Sequence, residues 1–128
     1  MQVLNDRFAV HGIAFDLIRI DWAREPNWFR LPRPIGIYDD EYVMKRTSRM
    51  GGYRDLNLYF LDTSHSYFRL HGRCYFPERV TAKSEAFIRD GCMIDYNTVP
   101  GGEAVGYNLG ITAVHEIGHW LGLYHVWN

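Results

Sequence analysis

Eleven consecutive residues restrict the fold of this chain more than anything before them: His115-Glu116-Ile117-Gly118-His119-Trp120-Leu121-Gly122-Leu123-Tyr124-His125. In a helix, side chains four residues apart lie on one face with Cβ atoms about 5–6 Å apart. His115 and His119 can therefore aim ring nitrogens at one point, and that point suits a metal ion. Glu116 is rotated aside by one residue. It is not a third ligand on that face, but it can reach a water on the same ion. A later histidine on a continuing helix would miss the ion. Gly122 solves this, because glycine enters the left-handed conformation at little steric cost and can end the helix and turn the chain. His125 then returns to the same point.

Two histidines at this spacing with a glutamate after the first form a zinc signature, and the glycine and third histidine extend it. Three neutral imidazoles leave one tetrahedral position open, as in a catalytic zinc site. The expectation is one zinc ion per chain on His115, His119 and His125. Glu116 is then the general base toward a water whose pKa the metal lowers to about 7. The plainer alternative is a buried helix whose histidines only hydrogen-bond. A structural zinc site would be closed by a fourth ligand, usually cysteine, and Cys74 and Cys92 both lie well upstream.

Around the motif, Asn108 reads as an N-cap and Leu109 to Leu121 as the helix. Ile111, Val114, Ile117 and Leu121 recur at spacings of three and four, which predicts a core-facing stripe. Trp120, Leu123, Tyr124, Val126 and Trp127 read as packing residues. Tyr124 reads as a half-buried structural tyrosine, although a phenol beside a metal could also donate to an oxyanion. His11, His65 and His71 read as exposed or structural, since three ligands already suffice.

The 128 residues have the size of one domain, and 47% apolar residues suffice for a core. A net charge of -1 gives no basic surface for nucleic acid. No stretch approaches a membrane span, and the first ten residues have no apolar run of signal-peptide type. The two cysteines, outside any CxxC pair, decide little alone.

Val3 to Phe8 looks like the end of a helix broken at Gly12. Residues 13–22 alternate in two phases, predicting a strand with a bulge. Residues 24–36 hold three prolines and predict a loop. Asp39 to Met50 predicts a helix with acidic residues first and Lys45, Arg46 and Arg49 last, an arrangement suited to the helix dipole. Gly51-Gly52 stops it. Leu56, Leu58 and Phe60 alternate in a second strand, and Cys74 to Phe76 predicts a short third. Cys92, Ile94 and Tyr96 alternate in a further strand ending at Val99-Pro100-Gly101-Gly102.

On these residues the chain resembles the metzincin zinc proteases, and within them the pappalysin family of secreted endopeptidases. The likeness lies in His-Glu-x-Gly-His-Trp with Leu-Tyr-His at the third histidine. It extends to Asp90-Gly91-Cys92-Met93-Ile94-Asp95-Tyr96, Val99-Pro100-Gly101-Gly102 and Tyr107-Asn108-Leu109-Gly110, and to Asp55-Leu56-Asn57-Leu58-Tyr59 and Phe76-Pro77. The resemblance implies an α+β fold: a metzincin-like upper subdomain with a twisted mixed β-sheet, a backing helix and an active-site helix. It implies a zinc-dependent endopeptidase acting on a peptide or protein substrate, in a secreted protein. It implies that Cys92, Met93, Ile94, Asp95 and Tyr96 form the edge strand along which substrate binds, and that Cys74 and Cys92 form a disulfide. Such proteases carry a second, lower subdomain with a methionine-containing turn after the third histidine. Residues 1–128 read as the upper subdomain, with the lower one absent and the far side of His125, Trp120 and Trp127 left exposed. The alternative function is a protease-like module that binds zinc or peptide without turnover.

Overall fold

The computed structural model describes residues 1–24, 40–63 and 70–127. The fold is α+β. Helix α1 spans Gln2–Phe8 and continues as a 3-10 turn over Ala9–His11, which Gly12 ends in the left-handed conformation. Helix α2 is Asp40–Ser48, strand β1 Leu58–Leu61, strand β2 Gly72–Cys74, helix α3 Glu85–Arg89, strand β3 Cys92–Asp95 and helix α4 Ile111–Trp120.

The three strands form one mixed sheet in the order β1-β3-β2. β3 runs parallel to β1, with Leu58 opposite Cys92, and antiparallel to β2, with Cys74 opposite Cys92. Successive side chains of β3 point to opposite faces, and each face has its own cluster. Cys92 and Ile94, both fully buried, pack with Cys74, Leu4, Phe8, Ala113 and Ile117 under α1 and α4. Met93 packs on the other face with Leu61 and Met44 of α2. The sheet thus holds α4 on one side and α2 on the other. Cys74 and Cys92 are joined by a disulfide across the β2–β3 register, with a sequence separation of 18. A loop of that size restricts the unfolded chain by about 3 kcal/mol.

Three expectations need correction. Residues 13–22 are not a strand. Among the described residues they join no ladder, and Leu17, Ile18, Ile20 and Trp22 are exposed, while Ile13 and Phe15 pack on the core. The Asn5 side chain takes the place of a strand partner, accepting from Phe15 N at 2.8 Å and donating to Phe15 O at 3.0 Å. Asn57 does the same for Met50, at 2.9 and 3.0 Å. Second, β3 is not an edge strand: both its sides are paired and all four residues are buried. Alternation and turn residues give a strand's faces, not its neighbours. Tyr96 has left the strand for a 3-10 turn over Tyr96–Thr98, opened by Asp95 Oδ1 accepting from Asn97 N at 3.0 Å. Third, the third strand is Gly72–Cys74, displaced from Cys74–Phe76. The predicted loop at 24–36 lies outside the described residues except for Arg24. Helix α3 escaped the sequence reading. Its signal was Ser84, whose Oγ accepts from Phe87 N at 3.2 Å.

The basic end of α2 is more than a complement to the helix dipole. Lys45 is completely buried. Its Nζ donates to the carbonyls of Arg89 at 2.5 Å and Gly91 at 3.3 Å, pairs with Glu41 at 3.0 Å, and lies 4.6 Å from the Tyr75 ring centroid. Arg73 of β2 also pairs with Glu41. Arg49 pairs with buried Asp90 at 3.0 Å. These charges fasten α2 to the segment between α3 and β3.

Burial lowers the Lys45 pKa to about 8, against a pull upward from Glu41. Below pH 8 the ammonium is present folded and unfolded, and its burial costs stability. Between about 8 and 10 the folded state releases the proton while the unfolded chain keeps it, so stability rises with pH. Burial raises Tyr59 to about 12. Above pH 10 the unfolded tyrosine ionises first, and the trend reverses. Urea unfolding is expected to show a gain on the order of 1–2 kcal/mol from pH 7 to 9.5, and Lys45→Met should flatten it. A flat profile in the unaltered protein would refute the assignment.

Candidate metal centre

Helix α4 begins two residues later than expected. Its N-cap is Gly110, in the left-handed conformation, and Asn108 instead donates from Nδ2 to Gly102 O at 2.8 Å. The buried stripe is also rotated. Of the predicted stripe, Ile117 is buried and Val114 packs on the core, but Ile111 and Leu121 are exposed, while Ala113, Glu116 and the partly buried Trp120 also face inward. That rotation brings His115 and His119 to the open side and turns Glu116 into the protein.

The helix ends in a Schellman turn. Gly122 has φ +92, its N–H donates to His119 O at 2.9 Å, and the Leu123 N–H donates to Gly118 O at 2.9 Å. Leu123 Cδ1 lies over Gly118, 3.7 Å from where a Cβ would stand. The chain reverses and brings back His125.

The three Nε2 atoms of His115, His119 and His125 form a triangle with every side 3.1 Å. Hydrogen bonds cannot account for it. The His119 Nδ1 lies 2.7 Å from Leu123 O. A carbonyl only accepts, so Nδ1 carries the proton and Nε2 presents a bare lone pair. A tetrahedral ion with bonds of about 2 Å needs nitrogens about 3.3 Å apart, close to this triangle. The donor set fits a metal ion, and the three histidines can hold one. Leu123 O fixes the tautomer that ligation requires. Burial and the neighbouring rings of His119 and His125 lower the His115 pKa, which favours the neutral form.

Glu116 is buried against β2. The Cys74 backbone N–H favours its ionised carboxylate, and a Cβ on Gly72 would lie 2.6 Å from its Cγ. Burial raises its pKa, while His119, the Cys74 N–H and Arg73 pull it down. The disulfide therefore ties to β3 the same strand that seats Glu116.

The remaining sequence-predicted residues fall elsewhere. Met93, Ile94 and Asp95 lie inside the sheet, and Cys92 is taken by the disulfide. His71 faces Asp95, Nδ1 to Oδ2 3.7 Å, and stacks near Tyr107. His11 is exposed, and His65 lies outside the described residues. Trp120 is a packing residue, its Nε1 donating to Asp90 Oδ1 at 2.8 Å. Leu123, Tyr124, Val126 and Trp127 are exposed, Trp127 as expected; Leu123 packs over Gly118 and Tyr124 against Phe76, but Tyr124 is not half-buried. Sequence reading missed Gly72, whose one signal is a glycine within a strand.

The chain is similar to extracellular metalloproteases. It is 46% identical to an extracellular metalloprotease of Colletotrichum graminicola over 98% of its length and 41% of the relative's. For that of Sordaria macrospora the figures are 46%, 98% and 40%, and for that of Podospora anserina 47%, 97% and 40%. The chain thus spans about two fifths of the length of these relatives. No protein-family model and no solved structure matches it.

The Gly72 seat makes a sharp prediction. Gly72→Ala places a methyl group inside contact distance of Glu116 Cγ, and overpacking of this kind costs about 1–3 kcal/mol. Urea unfolding should show that loss. A stability equal to the unaltered protein would mean that Glu116 does not rest on this strand.

Proposed function

We propose that this chain provides the metal-binding and proton-handling part of a secreted, zinc-dependent endopeptidase of the metzincin type, within the pappalysin family. The observation that carries this reading is the triangle of three histidine Nε2 atoms with a buried glutamate beside it on the same helix. The relatives' names support a metalloprotease, and the disulfide suits an oxidising, extracellular setting. Because the chain spans two fifths of the relatives, cleavage is proposed for the full-length protein, with a second subdomain following His125.

His115, His119 and His125 would hold one zinc ion. When bound, zinc acts as a Lewis acid toward a peptide carbonyl and toward water. Glu116 supplies the proton traffic. Its carboxylate takes a proton from the attacking water and returns it to the departing amide nitrogen. Burial keeps its pKa above that of a free carboxylate, nearer the range where it can both accept and give. Close packing against Gly72 restricts where that carboxylate stands. Substrate would lie along β2, the antiparallel strand at the sheet's edge beside Glu116.

In the full-length protein, Glu116→Gln should keep stoichiometric zinc and lose casein cleavage by at least about 10²-fold. His119→Ala should lose zinc itself by elemental analysis. Near-normal turnover in the first variant would remove Glu116 from the mechanism, and retained stoichiometric zinc in the second would remove the metal assignment.

A further inference from the structure

The third corner of the histidine triangle is the least supported by secondary structure. After Gly122 the described chain enters no helix or strand, and Leu123, Tyr124, Val126 and Trp127 are exposed. The Schellman turn fixes residues 122 and 123, but Tyr124 and His125 lie past it. The next contact comes from β2. Two residues beyond Cys74, the Phe76 ring stacks on Tyr124 with centroids 4.6 Å apart and planes inclined by 15°. The same ring lies 5.1 Å from that of His119. Pro77 Cγ stands 3.5 Å from the position a Cβ on Gly122 would take.

These contacts converge on one segment. Tyr124 is joined to His125 by a single peptide bond, so a fixed Tyr124 ring restricts the backbone that aims His125. Phe76 in turn leaves the strand that the disulfide locks to β3. We propose that Phe76 is a positioning residue: with Tyr124 it forms an aromatic clasp that holds His125 at the third corner of the metal site. The inference rests on the metal reading above. Without the clasp, His125 spends part of its time turned away, and the apparent metal affinity falls by the fraction of chains still competent. Loss of an outer contact to a ligand typically weakens binding by about 10- to 100-fold. For an exposed stack, about tenfold is expected.

The test is zinc affinity, by competition with a chromophoric chelator, in the full-length protein. The set comprises Phe76→Ala, Tyr124→Ala, the double variant, Phe76→Trp and the control His119→Ala. The visible spectrum of the cobalt-substituted form reports the ligand set independently of activity. Each single alanine variant should bind zinc about tenfold more weakly, with a changed cobalt spectrum. The double variant should be no weaker than either single one, and Phe76→Trp should restore affinity. Single variants within twofold of the unaltered protein, or losses that simply multiply in the double variant, would overturn the clasp. If His119→Ala abolishes binding in that case, the metal site stands without the clasp. If His119→Ala binds zinc normally, both ideas fall.

Discussion

A straight helix cannot present three histidines at this spacing to one point. Six residues past His119, a continuing α-helix would carry the next histidine about 9 Å along the axis and well round it. The left-handed turn at Gly122 is therefore the constraint on which the site depends. It reverses the chain, satisfies the helix-terminal carbonyls of Gly118 and His119, and sends the Leu123 carbonyl back to His119 Nδ1. One backbone event thus sets both the return of His125 and the tautomer of His119.

The rest of the fold holds that helix end still. Ile117 and Ala113 press α4 onto Cys92, Ile94 and Cys74, while Trp120 reaches Asp90, which Arg49, the residue after α2, also grips. The helix under the metal centre is thereby tied through the sheet to a layer of buried charge on the other face. Burying Lys45, Glu41 and Asp90 carries a desolvation cost that their pairing offsets only in part. What the charges contribute is position. Each accepts or donates in a fixed direction, and β2 and the α3–β3 junction are placed by those directions.

Much of the site was readable from residue order because it is local. The three histidines, the end of the helix and its glycine stop lie within eleven residues, where spacing and backbone conformation determine geometry. The likeness to secreted proteases supplied the Cys74–Cys92 pairing, which spacing alone would not have. What stayed hidden was non-local. Alternation in Cys92–Asp95 gives two faces, but the pairing of both edges depends on two strands that lie 18 or more residues earlier in the chain. Residues 13–22 have the apolar alternation of a strand, yet the Asn5 amide satisfies Phe15 and no ladder forms with the described residues. Lys45 and Arg49 look like a solvated helix end, because nothing in their neighbourhood in sequence announces Asp90 or the carbonyls of Arg89 and Gly91. Gly72 has no side chain to read, and its meaning lies in the space it leaves for Glu116.

The two asparagines that stand in for strand partners give the fold a chemical clock. Each uses both ends of its amide, and the Asn57 Nδ2 faces two carbonyl oxygens, those of Met50 and Asp55, at 3.0 Å each. Hydrolysis of that amide leaves a carboxylate, which has no proton to offer them. Three oxygens then confront one another where an N–H donor had joined them. Deamidation at Asn57, or at Asn5 beside Phe15 O, would therefore unfasten a backbone junction without altering any residue of the core or the metal centre.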